Sequence, residues 1–188
     1  MAKKIIHKQP NEHYDIGSRV DGFIAHLLSG LDAKITIIDI RPLSIQVPNL
    51  KFIQANATNL DGIEDNSIES LSSLHAVEHF GLGRYGDPID PDACFKAMES
   101  LQRVVKQNGI LYFSVPIGKT DAVYFNAHRM FSPKTILEVF SDMELIEFSY
   151  IHNYVIKTLR GEKAKTMINN NVIAVSNYDC GIFIFTKR

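Results

Sequence analysis

Cysteine is scarce in this chain of 188 residues, which contains only Cys94 and Cys180. Two cysteines do not make the dense disulfide framework of a small secreted domain, and such scarcity favours a reducing compartment. Cys94 falls on the apolar stripe of a predicted helix, and Cys180 begins the last apolar strand. We expect both to be core residues, with a reactive thiol as the alternative.

An excess of charge is also lacking, because 20 basic and 21 acidic residues leave a net charge of −1. This balance does not steer the protein to nucleic acid or to an anionic membrane. No apolar run reaches the ~18–20 residues that span a bilayer. The basic start of the chain has no apolar stretch of signal-peptide length. We therefore expect a cytoplasmic protein without a membrane span or a nucleic-acid partner.

Internal repeats, low-complexity tracts and Pro/Gly linkers are absent, which predicts one domain over residues 1–188. Its short apolar runs alternate with helical patterns. Apolar spacing predicts helices over 19–29 and Pro91–Lys106, the latter with Asp90 as N-cap, and a third opening at Ser132. The predicted strands are Glu12–Ile16, Lys34–Ile40, Lys51–Gln54, Ile68–Leu74, Gly109–Val115, Leu145–His152 and Gly181–Lys187. Alternating strands and helices with nearly continuous apolar strands indicate an α/β fold with a mostly parallel sheet covered on both faces.

The stretch from Asp65 to Pro116 carries the most specific pattern. It runs Asp65-Asn-Ser-Ile-Glu69 into a strand, then Glu78-His79, then Arg103-Val-Val-Lys-Gln-Asn-Gly109 into a second strand. This order resembles the central part of class I S-adenosylmethionine-dependent methyltransferases. The resemblance implies a Rossmann-like, doubly wound, seven-stranded sheet whose last strand is antiparallel. It makes residues 153–179 an insertion, because the last two strands of that fold usually need only a tight hairpin.

Other segments are similar to a narrower domain family of unknown function that is often associated with bacterial surface-polysaccharide loci. These segments are Gly-Ser-Arg-Val-Asp-Gly-Phe (17–23), His75 to Pro88, and His128-Arg-Met-Phe-Ser-Pro133. By association, the similarity implies a saccharide as the small-molecule substrate. The wider resemblance implies S-adenosylmethionine as the cofactor and methyl transfer as the reaction.

The first candidate cofactor-binding segment is the turn Asp15-Ile-Gly-Ser-Arg-Val-Asp-Gly22, which follows a strand and opens a helix. Glycine there lets backbone N–H groups approach a ligand closely, which makes Asp15, Gly17 and Ser18 candidates. Arg19 and Asp21 replace the later glycines of the methyltransferase pattern. The alternative is an ordinary strand-to-helix turn.

Two further strand ends carry cofactor candidates. Asp39 ends the second strand, 22 residues after Gly17, where a carboxylate can accept both ribose hydroxyls. Arg41 follows it, and we expect it to pack on the adenine. Asn56 and Ala57 follow the third strand, where the resemblance implies contacts to the adenine ring. The alternatives are a solvated loop aspartate and an Asx-turn asparagine.

His75-Ala-Val-Glu78-His79 matches the H-x-x-E-H zinc signature. The helical geometry of that signature is not secured, because His75 ends a strand, and no third ligand follows at helical spacing. We therefore predict no metal. The methyltransferase resemblance instead places His75 at the methionine end of the cofactor and makes Glu78 and His79 catalytic candidates near the substrate. The alternative is helix capping and polar bonding in the core.

Two loops carry substrate candidates. Gly81 to Gly86 reads G-x-G-x-x-G but runs into Asp87-Pro88 rather than a helix, so we interpret it as a flexible loop over the active site. Its Arg84 and Tyr85 are predicted to bind a polar or anionic substrate. His128 is the best general-base candidate, because an imidazole titrates near neutral pH. Arg129 is expected to bind a carboxylate or phosphate.

Two other functions stay open. Replacement of the glycines by Arg19 and Asp21 favours a degenerate methyltransferase fold that binds a ligand or partner without turnover, whereas Asp39 and the polar strand ends oppose it. A dehydrogenase satisfies the glycine pattern no better. The sequence leaves the methyl acceptor and the oligomeric state open.

Overall fold

The structure is a computed structural model that describes residues 1–20, 22–44, 46–124, 127–173, 175–176 and 178–188. Its strands are β1 Glu12–Ile16, β2 Lys34–Asp39, β3 Leu50–Gln54, β4 Ile68–Leu74, β5 Val105–Ile117, β6 Ala122–Val123, β7 Arg129–Met130, β8 Met143–His152, β9 Val155–Arg160 and β10 Asp179–Lys187. Its helices are α1 Ala2–Lys8, α2 Gly22–Gly30, α3 Ala93–Val104, α4 Pro133–Val139 and α5 Gly161–Asn169, with a 3₁₀ turn over Val77–His79.

One sheet organises the molecule, with strand order β3-β2-β1-β4-β5-β10-β8-β9. The first five strands pair in parallel, and β10 runs antiparallel to both β5 and β8. This confirms the predicted Rossmann-like class, a mostly parallel sheet with an antiparallel last strand. The chain leaves β1 on one side through β2 and returns on the other side at β4, and such a switch point is where open α/β sheets bind ligands.

Both faces of the sheet are covered, as continuous apolar strands require. On one face, α3 packs Cys94, Met98 and Leu101 against Leu111 and Phe113 of β5. On the other face, α1 and α2 cover the sheet. Ile5 of α1 and Ile24 and Leu27 of α2 pack there against Ile35 and Ile37 of β2. None of the helices in the described ranges is long and apolar enough to cross a membrane.

The helix boundaries differ from the predicted ones at the starts. The helix expected over 19–29 is observed from Gly22, and the one expected from Pro91 begins at Ala93. The N-cap of α3 is Asp92 rather than Asp90. The carboxylate of Asp90 instead accepts the Asp92 N–H at 3.0 Å and bonds Lys96 Nζ at 2.6 Å, which adds a turn before the helix.

Residues 153–179 contain regular structure that the sequence did not predict. β9 pairs antiparallel with β8 and adds an eighth strand at the edge of the sheet. α5 follows it over Gly161–Asn169. The helix α1 and the small β6–β7 hairpin were also not predicted.

Candidate functional site

The carboxyl ends of β1 to β4 border a cavity of about 370 Å³. The turns after β1, β2 and β3 supply one side of its wall, and the segment after β4 supplies the other. Gly17, Asp39, Asn56 and His75 all line it. The fold thus brings together four predicted site residues from four separate strand ends, at the switch point of the sheet.

The turn after β1 depends on Gly17. Its backbone has a φ of +83°, and a Cβ atom on it would lie 2.9 Å from Cβ of Ala76. The Gly17 N–H donates to the Ile38 carbonyl at 2.9 Å, which fixes the turn against β2. Gly17 and Ser18 both line the cavity, and the absence of a Cβ on Gly17 leaves room for a ligand to approach the backbone.

Asp15 does not line the cavity, although it was predicted to bind the cofactor. It is fully buried, and it accepts hydrogen bonds from the Ser18 N–H at 3.0 Å and from the Ser72 hydroxyl. Ser72 also lies 2.9 Å from Nε2 of His13, whose Nδ1 lies 2.8 Å from the Ser70 hydroxyl. Burial raises the pKa of Asp15 to about 6 and lowers the pKa of His13 to about 3. Asp15 therefore shapes the turn from within the protein.

Asp39 lines the cavity and is paired with Arg41. The Arg41 Nε lies 3.0 and 3.2 Å from the two carboxylate oxygens, and the Arg41 N–H donates to Oδ1 at 2.8 Å. The guanidinium also donates to the Gly17 carbonyl at 3.3 Å and lies 4.8 Å from the centre of the Tyr85 ring. Arg41, expected to pack on adenine, thus occupies the acceptor predicted for the ribose.

Residues of the turn after β3, and Arg19 of the turn after β1, also line the cavity. Asn56 and Ala57 line it, and the Asn56 side-chain oxygen accepts bonds from the N–H and hydroxyl of Thr58 at 3.0 and 2.9 Å. This is the Asx turn that the sequence left open. Arg19 is exposed and lines the cavity, whereas Asp21 lies outside the described residues.

His75, Glu78 and Cys180 form a hydrogen-bonded row. His75 Nδ1 lies 3.0 Å from Glu78 Oε1, and His75 Nε2 lies 3.2 Å from Cys180 Sγ. Cys180 was predicted to be a core residue and is instead partly exposed, because β10 begins at the rim of the sheet. Cys94 is fully buried in the core, as predicted.

His79 and His128, both predicted to be catalytic, lie side by side. Their ring centres are 6.0 Å apart, and His79 Nδ1 lies 3.0 Å from the Ala127 carbonyl oxygen. The His128 Nε2 is buried and has no hydrogen-bond partner among the described residues. Burial, and secondarily the nearby His79, lower the pKa of His128. The rings of Tyr124 and Tyr178 lie 5.6 and 5.5 Å from His128, which makes this an imidazole and tyrosine cluster.

The H-x-x-E-H residues are not arranged as a metal site. His75 and His79 face different partners, and Glu78 is buried beneath them. Within the part of the chain that the structure describes, no group of three His, Cys, Asp or Glu side chains is placed to hold a metal ion.

Asp87 holds the loop Gly81 to Gly86 in place by accepting hydrogen bonds from its backbone. The sequence did not predict this role for Asp87. Its carboxylate accepts the Gly81 N–H at 2.6 Å and the Tyr85 N–H at 3.0 Å. Tyr85 lines the cavity, with its ring centre 5.6 Å from that of His79. Arg84 is exposed and donates to the Ala127 carbonyl at 3.1 Å. An aspartate directly after a glycine-rich loop is the signal that identifies this turn.

Arg129 is buried rather than placed on the cavity. Its guanidinium donates to the backbone carbonyls of Phe80 and Pro91, the latter at 3.1 Å. These bonds hold the β4–α3 connection against β7, and they direct the arginine donors to the protein's own backbone instead of to a substrate anion.

Solved structures of other proteins share this fold. Among solved structures with the same fold is a Burkholderia thailandensis 1,6-didemethyltoxoflavin-N1-methyltransferase with bound S-adenosylhomocysteine. It is 14% identical, the alignment covers 99% of this chain and 76% of that one, and the TM-score is 0.63. An N-methyltransferase NodS from Bradyrhizobium japonicum, also with S-adenosylhomocysteine, is 12% identical over 99% and 85% of the two chains at a TM-score of 0.59. The molecule thus has the Rossmann-like fold of class I methyltransferases.

The chain belongs to the family described as "Caenorhabditis protein of unknown function, DUF268", whose profile matches residues 52–174. No curated protein matches it. The same fold also occurs in the cyclase SpnF, which is 12% identical over 98% of this chain and 79% of that one at a TM-score of 0.67. Fold alone therefore does not fix the reaction.

Proposed function

We propose that this chain is an S-adenosylmethionine-dependent methyltransferase that transfers a methyl group to an oxygen or nitrogen of a small molecule. The observation that carries the proposal is the position of Asp39. Its carboxylate lies at the end of β2, in a cavity shared with the Gly17 turn, where it can accept both hydroxyls of a ribose.

The residues around the cavity fit this cofactor. The Gly17 turn leaves space that a Cβ would fill, so backbone can approach the methionine portion. Asn56 and Ala57, which line the cavity, would contact the adenine, and His75 would contact the methionine end. When bound, the cofactor supplies an activated methyl group. Arg41 must release Asp39 before the carboxylate can hold a ribose.

The acceptor belongs on the side of His79 and His128. A lowered pKa keeps the His128 imidazole neutral at pH 7, so its ring nitrogen can take a proton from an acceptor hydroxyl or amine. His79 and Glu78 would position the acceptor side, and most of the rate would come from alignment of the reacting atoms. Arg84 and Tyr85 would bind polar groups of the substrate. Saccharides are the first acceptor class to test.

The cofactor proposal is tested by titration calorimetry with S-adenosylhomocysteine. We expect binding at micromolar concentrations and an affinity at least ~10-fold lower in Asp39→Ala, a loss of ~1.4 kcal/mol. Asp32→Ala, which removes an exposed carboxylate from the opposite end of β2, is the matched control and should bind like the wild type. No heat at millimolar ligand from a folded sample would contradict the proposal.

The reaction is tested by transfer of a labelled methyl group to a panel of sugars, sugar nucleotides and amines. His128→Asn should lower kcat about 100-fold or more while leaving cofactor affinity unchanged, because a general base acts on the acceptor. The rate of the wild type should rise with pH through a midpoint below ~6.5 and then level off.

The pairing of Arg41 with Asp39 favours a second candidate, a non-catalytic protein of the same fold. Its guanidinium already satisfies the carboxylate and closes part of the cavity. In that case the wild type would bind no cofactor and transfer no methyl group, even with the acceptor panel present.

A further inference from the structure

Three side chains that are distant in sequence form one row beside the cavity. Cys180 Sγ and His75 Nε2, which are 105 residues apart, lie at 3.2 Å, and His75 Nδ1 lies 3.0 Å from Glu78 Oε1. A nucleophile within reach of a base, and a base oriented by a third group, is the arrangement that activates cysteine and serine nucleophiles.

The fold holds each member of the row in place. His75 has a φ of +52°, which side chains rarely adopt, and its N–H donates to the Ser114 carbonyl at 2.9 Å. Cys180 is the second residue of β10 and pairs with Pro116 of β5 and Ile151 of β8. Glu78 is only 2% exposed. Its second carboxylate oxygen is buried and has no hydrogen-bond partner among the described residues.

The electrostatics of the row favour an ion pair. Hydrogen bonds to Cys180 first, and to Glu78 second, raise the pKa of His75 to about 10. A protonated imidazole donates from both ring nitrogens, one to the carboxylate and the other to sulfur. An imidazole within hydrogen-bond reach of a cysteine sulfur is the setting in which cysteine nucleophiles are activated.

Two members of the row are also partly open to solvent. Cys180 is partly exposed, and the His75 side chain is 45% exposed and lines the cavity. Cys94, the second cysteine, is fully buried in the core. Cys94 therefore serves as a buried control thiol against which the reactivity of Cys180 can be compared.

We propose that Cys180 is a covalent nucleophile, activated by His75, with Glu78 as a positioning residue, and that it accepts carbon electrophiles that carry a leaving group. In the covalent step a sulfur electron pair forms an S–C bond, and the bond from that carbon to the leaving group breaks. The leaving group departs with the electron pair and can take the proton of His75 Nε2. Alkylation of Cys180 needs no S-adenosylmethionine, although the row shares His75 and Glu78 with the proposed methyl-transfer site.

The test uses iodoacetamide as the electrophile, with adducts located by peptide mass spectrometry. At pH 6.5 only about 1% of an ordinary thiol is ionised. A thiol paired with an imidazolium is ionised to a larger fraction, which raises its alkylation rate. This increase exceeds the decrease in rate that comes from the lower intrinsic nucleophilicity of such a thiolate. We expect wild-type Cys180 to react at least about fivefold faster than Cys180 in His75→Asn. Asparagine tolerates the positive φ at this position. Cys94 should react only after unfolding.

A second measurement does not depend on the folding of the His75 variant. It compares the alkylation rate of Cys180 in the wild type and in Glu78→Gln. Glu78→Gln keeps an acceptor for His75 Nδ1 but removes the charge of the carboxylate, so Cys180 should react more slowly in this variant. Equal alkylation rates in the wild type, His75→Asn and Glu78→Gln would overturn the proposal.

Discussion

Arg41 shows how one side chain controls the site. Its guanidinium occupies Asp39, the Gly17 carbonyl and the face of Tyr85 at once. In the proposed complex, a ribose would bind the Asp39 carboxylate in place of this guanidinium. Ligand binding at Asp39 therefore competes with a contact made inside the protein.

The competition can be measured with two arginine variants. Arg41→Ala should bind S-adenosylhomocysteine about three- to tenfold more tightly, because a partly exposed ion pair opposes binding by about 1 kcal/mol. Arg19→Gly should change the affinity less than about threefold, since the Arg19 side chain is exposed. Titration calorimetry on both variants checks this. Weaker binding by Arg41→Ala would mean that the guanidinium itself contacts the ligand.

His13 gives a pH prediction. Burial lowers its pKa to about 3, so the unfolded chain takes up a proton near pH 6.5 that the folded protein does not. Stability is therefore lost as the pH falls from ~6.5 toward ~3. From pH 7 to pH 5, the wild type should lose about 2 kcal/mol more than His13→Gln does.

Denaturant unfolding at the two pH values measures this difference. Asp15, whose pKa is raised to about 6, acts in the opposite direction, because the folded protein binds its proton more tightly. Asp15 is present in both proteins, so its effect largely cancels in the comparison. Equal losses of stability in wild type and variant would refute a neutral, buried His13.

At the residue scale, position along the chain predicted that Asp39 and Gly17 lie at the strand ends that border the cavity, but it did not predict the direction of every side chain. Asp15 follows His13 by two residues, so both point to the same face of β1, into the interior. Neither the polarity nor the spacing of Asp15 distinguishes a buried network from a ligand site. Cys180 reaches His75 only because β10 returns antiparallel, and that juxtaposition of distant residues is not encoded in any local pattern.

At the element scale, the turn after β1 tests the role of Gly17. In Gly17→Ala the new Cβ would meet Ala76 at 2.9 Å, and alanine would be strained at a φ of +83°. Gly62→Ala is a matched control, since Gly62 has a φ of +82° with nothing within 4 Å of its Cβ position. Both variants should lose about 1 kcal/mol from backbone strain, and Gly17→Ala should lose more than Gly62→Ala because of its contact with Ala76.

Only Gly17→Ala should additionally lose ligand affinity, by at least ~10-fold. Thermal unfolding gives the first effect and calorimetry with S-adenosylhomocysteine gives the second. Full affinity in Gly17→Ala would show that the turn does not approach the ligand closely.

Elements with a regular apolar pattern were predictable, and elements without one were not. β2 is buried at five successive positions and stands out as an apolar run. β9 is exposed along nearly its whole length, because it lies at the sheet edge, and its sequence therefore lacks the alternation of a half-buried strand. α1 is short and buries only Ile5, so it carries almost no periodic signal.

At the scale of the whole molecule, the strand order followed from the alternation of strands and helices together with the family resemblance. The eighth strand did not, because its pairing with β8 depends on tertiary contact. The cavity was predictable as a location, since carboxyl ends of parallel strands share one rim. The hydrogen bonds at its wall, from Arg41 to Asp39 and from Thr58 to Asn56, depend on side-chain packing and were not predictable from the sequence.

The position of β10 has a consequence for the order of folding. It is the last strand of this chain to be synthesised, yet it lies between β5 and β8 rather than at an edge. Until it inserts, β5 and the β8–β9 hairpin each present an unpaired edge that can pair with other chains. Its pairing with β5 joins residues more than sixty positions apart, and such non-local contacts form slowly. We therefore expect the incomplete sheet to be the aggregation-prone intermediate, and insertion of β10 (Asp179–Lys187) to be the step that ends that exposure.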